Sequence, residues 1–204
     1  MMAKHVRPLL MSSVTAFARW LQSIGVTPNM ISFTGFALTI GSAALLATGY
    51  LLIGGFILWA AAMLDMVDGT LARISESESK FGAFLDSTLD RYSESITFLG
   101  LAVYYANQNN AQTPLLLIFF TLVGSWAVSY TRARAEGLDI ECNVGFLQRP
   151  ERLVLLIASL ILGLVLPVLW LLAIMTNVTA IQRIHEVYVR TSKSQEQENQ
   201  PVAD

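Results

Sequence analysis

Long apolar runs alternate with short turns along most of the chain, and this pattern predicts a bundle of membrane-spanning helices. A helix needs about 20 apolar residues to cross a bilayer. Six runs approach that length and cover residues 29–49, 51–72, 84–106, 114–134, 152–166 and 168–188. An alternative count of five treats residues 153–175 as one helix, but Pro167 and the apolar length beyond it favour a turn there and six spans.

Charged residues occur on only one side of this predicted bundle. The turns after the first, third and fifth spans read GYLLIGG, NQNNAQT and LPVLW, and none contains a Lys, Arg, Asp or Glu. All charged residues lie before residue 20, within 65–94, within 132–152, or from residue 183 onward. The positive-inside rule therefore predicts that this side, with both termini and the active site, faces the cytoplasm in the cell membrane.

The segment before the first span has the periodicity of a surface helix. Between Val6 and Ile24 the apolar residues recur at helical spacing, and Arg19 interrupts them. We predict an N-terminal amphipathic helix that lies in the membrane interface, with a short helix packed against the bundle as the alternative. Thr27 is predicted to cap the first span, with Pro28 at its first helical position.

Composition agrees with an all-α, polytopic membrane protein. Hydrophobic residues make up 54% of the 204 and charged residues only 14%, whereas about a quarter are charged in a soluble domain. We expect one membrane domain over residues 1–190, followed by a polar, disordered cytoplasmic tail at 191–204. The single cysteine, Cys142, excludes an internal disulfide. We expect the lipid bilayer as a partner and no nucleic acid.

Four aspartates lie where the second and third predicted spans meet the cytoplasmic turn between them. Each span presents one helical stripe that combines carboxylates with small residues. The stripes consist of Asp65, Asp68, Gly69 and Ala72 on the second span and Gly82, Asp86 and Asp90 on the third. The short turn makes the two helices antiparallel neighbours, so the four carboxylates are predicted to converge on one small volume.

Four carboxylates in one volume need protons or cations to neutralise them. Divalent cations such as Mg²⁺ prefer oxygen ligands, and two such ions bridged by carboxylates would suit phosphoryl chemistry. Gly69, Ala72 and Gly82 leave space for a ligand, although small residues also serve close helix packing in membranes. Arg73 follows at the cytoplasmic edge, where it could meet a phosphate oxygen.

These residues resemble the signature of the CDP-alcohol phosphotransferase family at every fixed position. The match reads Asp65-x-x-Asp68-Gly69-x-x-Ala72-Arg73, eight residues, then Gly82-x-x-x-Asp86-x-x-x-Asp90. The resemblance implies transfer of a phosphatidyl group from a CDP-linked lipid to an alcohol, with release of CMP. It also implies two divalent ions, Mg²⁺ or Mn²⁺, and a homodimer.

The resemblance further assigns roles to individual residues. It implies that Asp65, Asp68, Asp86 and Asp90 hold the metal ions and that Asp90 is also the base that deprotonates the acceptor hydroxyl. It implies a nucleotide site for the donor that comprises Asp68, Gly69, Ala72, Arg73 and Gly82.

Arginines in the later cytoplasmic segments are candidates for binding the acceptor. Arg132, Arg149, Arg152 and Arg183 would suit an acceptor phosphate, although arginines on this side also contact lipid headgroups. The runs around them, together with LDSTLDR at residues 85–91, resemble the phosphatidylinositol-phosphate synthases of the family. That resemblance implies CDP-diacylglycerol as donor, inositol 1-phosphate as acceptor, and a phosphate site built from these arginines, with Arg149 the less certain member.

Other functions are compatible with parts of the pattern. Close alternatives use glycerol 3-phosphate or free inositol as acceptor, or an archaeal-type ether-lipid donor, because lysine is common in bacterial members where this chain has Arg132. A more remote alternative is an intramembrane prenyltransferase, whose aspartates usually occupy two well-separated helix pairs. A divalent-cation carrier would need polar residues deep in the spans, and the external halves have no acidic ones.

Overall fold

The computed structural model describes residues 14–75 and 79–198, with side chains described as far as residue 192. Seven α-helices occupy most of these residues, and the described ranges contain no strand, which confirms the predicted all-α class. The helices are α1 (residues 14–23), α2 (Pro28–Ala47), α3 (Leu51–Ile74), α4 (Lys80–Ala106), α5 (Gln112–Glu136), α6 (Arg149–Leu162) and α7 (Val165–Glu198).

Four of the described helices are long and apolar enough to cross a membrane. They are α2, α3, α5 and the Val165–Ser192 part of α7. Helix α4 has 27 residues, but its first half carries several charges, and α6 has only 14 residues and is therefore about 21 Å long. Multi-pass membrane character is thus supported, whereas the count of six spans stays a prediction.

Large apolar side chains point outward from these helices. Phe33, Phe56, Phe119 and Trp170 are each between 50% and 60% exposed. A soluble protein rarely exposes so much apolar surface, and lipid chains are the solvent that such a surface suits.

The end of α6 and the start of α7 differ from the prediction. The break falls at Gly163, which has φ +70°, and the N–H of Leu164 donates to the carbonyl of Ser159 at 2.9 Å. This hydrogen bond closes a helix C-terminus of the Schellman type. The turn was predicted at Pro167, which instead lies in the first turn of α7, where a missing N–H costs nothing.

Two other terminal features were assigned from sequence. Thr27 accepts a hydrogen bond from the N–H of Met30 at 3.4 Å, with Pro28 next to it, which confirms the predicted cap. Helix α7 continues to Glu198, past residue 191, because no helix breaker intervenes and Arg190 pairs with Glu186 at 2.6 Å. The predicted tail, residues 191–204, therefore starts too early in the chain, because residues 191–198 are helical. Residues 199–204 lie outside the described ranges.

The chain divides into two compact units, and the first contains the aspartates. It comprises the helices up to Tyr104 together with Leu160–Gly163. Helices α2 and α3 are antiparallel, since the hydroxyl of Ser42 donates to the carbonyl of Gly54 at 2.8 Å while residues 32 and 68 meet at the other end. Helix α4 packs closely on α2 at Gly100, where a Cβ atom would lie 2.9 Å from the Cα of Ala43.

Helix α1 packs on this unit with one face and exposes apolar residues on the other. Val14, Ala18 and Leu21 join a core with Ile31, Val67 and Leu71. Phe17, Trp20 and Ile24 are 44%, 56% and 57% exposed. The packed face matches the alternative that α1 is docked on the bundle, and the exposed apolar edge is what an interfacial helix needs. Its position in the membrane stays a prediction, and residues 6–13 of the predicted helix lie outside the described ranges.

The second unit comprises Tyr105–Ser159 and the chain from Leu164 onward. Helices α5 and α7 run in the same direction, since Asn177 donates to the carbonyl of Phe120 at 3.0 Å and Arg183 donates to that of Val128 at 2.6 Å. The approach is close because Gly124 faces Thr176 with no room for a Cβ atom. Small residues in this pair therefore serve helix packing. Whether both units form the single domain expected for residues 1–190 stays a prediction.

We predict that Gly100→Ala destabilises the first unit. The new methyl group would collide with the backbone of Ala43, which cannot move aside as a flexible side chain can. Overpacking of this kind costs about 1–3 kcal/mol, which a melting temperature measured in detergent would reveal. Gly41→Ala is the matched control, because a Cβ there meets nothing within 4 Å and alanine favours the helix. Equal melting temperatures for the two variants would contradict the prediction.

Candidate active site

Three carboxylates from two helices meet in the first unit. Asp65 and Asp68 lie one turn apart on α3, and Asp86 reaches them from α4. One carboxylate oxygen of each lies within 4.8 Å of the others. Asp68 is buried at 5% exposure, Asp65 is half-buried and Asp86 is exposed. The structure therefore brings together three of the four aspartates that the sequence places on facing stripes.

Asp68 is the anchored member of this group. Its Oδ2 atom accepts a hydrogen bond from the hydroxyl of Ser32 on α2 at 2.7 Å. Its Oδ1 atom accepts one from the N–H of Gly69 at 2.6 Å. A carboxylate has about four lone-pair sites, so both oxygens can still bind a cation.

Asp90 is not a member of this three-carboxylate group. It lies one turn further along α4 than Asp86 and is buried at 7% exposure. Its Oδ2 atom is 3.4 Å from Nη2 of Arg91. Among the described acidic residues the group that could hold a metal ion consists of Asp65, Asp68 and Asp86. The predicted roles of Asp90 as a fourth ligand and as a base are therefore not tested by this geometry.

A cavity of ≈ 840 Å³ adjoins the carboxylates. The connection from α1 to α2, the start of α2, the end of α3 and the start of α4 form its walls. Its lining includes Val26, Thr27, Pro28, Asn29, Ser32, Asp68, Gly69, Ala72, Ser75, Ser79, Lys80, Gly82, Ala83 and Asp86. This volume is in the range of sites that hold nucleotide-sized or drug-sized ligands. Arg73 is predicted to contact the CDP-linked donor substrate. It is not part of the cavity lining, and its Nη2 atom donates a hydrogen bond to the hydroxyl of Thr70 at 3.4 Å.

Among the described residues, the two glycines at this cavity are not pressed against a neighbouring helix. At Gly69 a Cβ atom would meet nothing within 4 Å, whereas at Gly54 it would come 2.6 Å from a side-chain atom of Leu46. At Gly82 the nearest atom is Oγ of Ser79, 3.0 Å away, which accepts the N–H of Gly82 as a helix cap. Gly69 thus leaves open space beside Asp68, and this space is available to a ligand.

The donor set suits a hard divalent cation. Three carboxylates supply only oxygen ligands, and the buried one accepts its two hydrogen bonds from neutral donors. Mg²⁺ and Mn²⁺ prefer such oxygen donors, whereas Zn²⁺ sites usually contain His or Cys. The group fits a metal ion, and the number of ions that it holds is not determined by these contacts.

The four candidate arginines lie in the second unit and differ in burial. Arg152 and Arg183 are buried at 3% and 2% exposure. Arg183 donates to the carbonyls of Val144 and Val128, at 2.9 and 2.6 Å, and Arg152 donates to that of Leu147 at 3.4 Å. These carbonyl contacts hold the guanidinium groups in defined orientations.

The other two arginines have different surroundings. Arg132 is exposed and pairs with Glu136 one turn away at 2.8 Å. Arg149 is the first residue of α6. Of the four, the structure therefore buries Arg152 and Arg183, whereas Arg132 lies on the surface and pairs with a carboxylate.

The loop before α6 is fixed to α7 beside Arg183. Gly145 adopts φ +130°, a conformation open to glycine, and faces Thr179 so closely that a Cβ atom could not fit. The hydroxyl oxygen of Thr179 accepts the N–H of Leu147 at 3.3 Å. These contacts were not anticipated from sequence. They hold the loop that leads into Arg149 and Arg152.

Sequence inspection also missed Ser32, the partner of Asp68. A signal was present, because Ser32 is a polar residue one turn inside the span, although Thr34, Thr39 and Ser42 of the same span are polar as well. The distance of Ser32 from the start of α2 is about 6 Å and that of Asp68 from the end of α3 is about 9 Å, so antiparallel pairing places them at similar depth.

The chain resembles known proteins over most of its length. The sequence profile of the CDP-alcohol phosphatidyltransferase family matches residues 25–182. An archaetidylinositol phosphate synthase from Pyrococcus horikoshii is 33% identical over 93% of this chain and 98% of that protein. A phosphatidylinositol phosphate synthase from Mycobacterium tuberculosis is 32% identical over 85% of each chain.

Solved structures agree with this similarity. The M. tuberculosis phosphatidylinositol phosphate synthase with CDP-DAG bound superposes with a TM-score of 0.80 and 31% identity, covering 86% of this chain and 93% of that one. The same protein in complex with manganese and citrate gives a TM-score of 0.81 and 31% identity, covering 86% of this chain and 88% of that one.

We predict that Asp86→Asn weakens Mn²⁺ binding, because it removes one of three negative charges that attract the cation. Removal of a hydrogen-bond partner of a metal ligand lowers metal affinity by roughly 10–100-fold. Removal of a ligand's own charge should lower the Mn²⁺ affinity at least as much. Titration of Mn²⁺ into the purified protein, followed by electron paramagnetic resonance, measures it. Asp139→Asn is the control, since Asp139 is exposed and its positive φ of 56° suits asparagine. Unchanged affinity in Asp86→Asn would contradict the assignment of this group.

Proposed function

The chain belongs to the CDP-alcohol phosphatidyltransferase family, and from this premise we propose that it transfers the phosphatidyl group of CDP-diacylglycerol to inositol 1-phosphate. The products would be phosphatidylinositol phosphate and CMP. The chain is thus a transferase of phospholipid synthesis, and the prenyltransferase and carrier alternatives are set aside. The observation that carries the proposal is the convergence of Asp65, Asp68 and Asp86 beside a cavity lined by Gly69, Ala72 and Gly82.

Asp65, Asp68 and Asp86 would hold the metal, with Asp90 as the fourth ligand that the family signature implies. Two divalent ions, Mg²⁺ or Mn²⁺, would supply positive charge that offsets the donor diphosphate and stabilises the departing CMP. Gly69, Ala72 and Gly82 leave room for the nucleotide, since a larger side chain at Gly69 would project into the cavity. Arg73 would contact the donor from the edge of the site. A related structure contains CDP-DAG and another contains manganese, which supports both ligands here.

Asp90 would act as the base for the acceptor hydroxyl. Its carboxylate is buried on α4 one turn beyond Asp86, so a hydroxyl activated by a nearby metal ion could transfer its proton to it. Arg91, 3.4 Å away, gives the carboxylate a fixed neighbour. A carboxylate serves as a base when the hydroxyl is held within hydrogen-bond reach.

Arg152 and Arg183 would bind the phosphate of the acceptor. Their guanidinium groups are buried and held by backbone carbonyls, and oriented guanidinium groups bind phosphate oxygens through charge-assisted hydrogen bonds. Arg149 and Arg132 would contribute less, and Arg132 would first have to leave Glu136. Binding of phosphate by arginine forks is geometrically specific, which would favour phosphorylated acceptors over free inositol.

The names of the relatives support inositol phosphate as acceptor. One relative is an archaetidylinositol phosphate synthase and another a phosphatidylinositol phosphate synthase. The two names share the inositol phosphate and differ in the lipid. The acceptor is therefore better supported than the donor tails, and an ether-linked donor is the main alternative. Glycerol 3-phosphate and free inositol are alternatives that the acceptor assay separates.

The proposed location is the cell membrane with the site facing the cytoplasm. In the sequence, charged residues are confined to segments that the predicted topology places at one end of the spans, and these segments include the aspartates and arginines of the proposed reaction. The positive-inside rule favours the cytoplasm for that end, where water-soluble inositol 1-phosphate would be available. The homodimer implied by the family resemblance stays a prediction.

The first test is release of CMP by the protein purified in detergent. We expect turnover with CDP-diacylglycerol, Mg²⁺ or Mn²⁺, and inositol 1-phosphate, and little with glycerol 3-phosphate or free inositol, since neither matches both the phosphate and the ring. Asp90→Asn should be inactive because its amide cannot take up the proton. Turnover with glycerol 3-phosphate alone would overturn the acceptor, and a preference for an ether-linked CDP-lipid would overturn the donor.

We predict that Arg152→Lys raises the KM for inositol 1-phosphate by about tenfold, with a smaller change in the KM for the donor. Lysine keeps the charge but loses the planar fork that grips a phosphate. Steady-state kinetics with each substrate varied in turn measures the split. Arg134→Lys is the control, because Arg134 is exposed on α5 and has no assigned role. Equal shifts of both KM values would argue that Arg152 acts only through the fold.

A further inference from the structure

We propose that Ser32 is a positioning residue that holds the carboxylate of Asp68 in the orientation needed to bind metal. The inference rests on the proposed function, because it assumes that Asp68 is a metal ligand. Ser32 lies on α2, whereas the three clustered carboxylates lie on α3 and α4. Its contact with Asp68 therefore makes a third helix part of the site.

The hydroxyl of Ser32 favours Asp68 over its alternative acceptor. Oγ is 2.7 Å from Oδ2 of Asp68 and 3.2 Å from the carbonyl oxygen of Pro28. A hydroxyl has one proton to donate, and a hydrogen bond to a carboxylate is shorter and about twice as strong as one to a neutral acceptor. The proton therefore points at Asp68.

Two threonines of α2 behave differently. Thr34 and Thr39 donate to carbonyls one turn earlier in the same helix, at 2.8 and 3.0 Å. That arrangement satisfies a hydroxyl inside an apolar helix and needs no other partner. Ser32 has the same option and instead contacts a charged group on another helix, which indicates a role beyond its own helix.

The hydrogen bond restricts how Asp68 can turn. Ser32 fixes Oδ2 from one side and the N–H of Gly69 fixes Oδ1 from another. Each oxygen has a second lone-pair site, so the contact aligns the carboxylate without blocking it. Partners of this kind typically change metal affinity by about 10–100-fold when they are removed.

A second hydrogen bond between α2 and α3 supports the position of Ser32 beside Asp68. The hydroxyl of Ser42 donates to the carbonyl of Gly54 at 2.8 Å, which ties α2 to α3 near the other end of the pair. Ser32 is also part of the cavity lining. Its side chain thus contacts a ligand residue while facing the space that a substrate would enter.

The experiment compares Mn²⁺ affinity, measured by electron paramagnetic resonance without substrates, among variants of the full-length protein. We expect Ser32→Ala to raise the Kd for Mn²⁺ by about 10–100-fold. Ser32→Thr should bind nearly as well as wild type, because the hydroxyl is kept and the cavity has room for a methyl group. Ser32→Cys should fall between them, since a thiol is a weak donor of similar size. Thr34→Ala is the control and should match wild type.

The possible outcomes separate this inference from the proposed function. If wild type does not bind Mn²⁺, the metal site itself is wrong and the inference fails with it. If wild type binds but Ser32→Ala binds equally well, only the role of Ser32 is overturned. If Ser32→Thr and Ser32→Ala lose affinity equally, side-chain size rather than the hydroxyl matters, which also overturns it. The melting temperature of each variant shows whether it is folded. If Ser32→Ala is unstable, the Mn²⁺ affinities of Ser32→Thr and Ser32→Cys decide, and tighter binding by Ser32→Thr supports the inference.

Discussion

The concentration of negative charge at the end of an apolar helix pair is the constraint on which the first unit depends. Three carboxylate oxygens lie within 4.8 Å of one another, and Asp68 is almost completely buried. Like charges this close, with little water around one of them, cannot all persist without a compensating cation or proton. A bound divalent ion resolves the conflict, and it also supplies the charge that a diphosphate substrate requires. The repulsion among the carboxylates and the chemistry of the site therefore both depend on the same bound cation.

Small residues in this protein serve two different physical purposes, and only their surroundings distinguish them. Gly54, Gly100 and Gly124 face neighbouring helices so closely that a methyl group would collide. Gly69 faces open space. In a membrane, where helices associate through close packing, the first purpose is the more common one. The open space beside Gly69 is consequently the stronger sign of a ligand.

The second unit contains buried positive charge, as the first contains buried negative charge. Arg152 and Arg183 are buried, and their hydrogen bonds go to backbone carbonyls in the segment before α6 and on α5. Such contacts hold planar guanidinium groups in fixed orientations, which is the arrangement that suits a phosphate ligand. The loop that supplies two of these carbonyls is fixed by Gly145 and Thr179. Backbone geometry therefore contributes to the orientation of the guanidinium groups.

Sequence alone determined the helical class, the cap at Thr27, the family and the residues of the signature, because apolar periodicity, capping chemistry and a fixed motif spacing are local properties. It also placed Asp65, Asp68 and Asp86 on facing stripes, since helical geometry relates residues three and four positions apart. Tertiary structure decided what depends on contacts between distant residues: the partnership of Ser32 with Asp68, and the burial of Arg152 and Arg183 while Arg132 stays exposed. It also moved the last helix break from Pro167 to Gly163, because a proline is accepted in a first turn and its effect depends on where the neighbouring helix ends. No periodicity in the chain encodes which of two equally spaced side chains finds a partner on another helix.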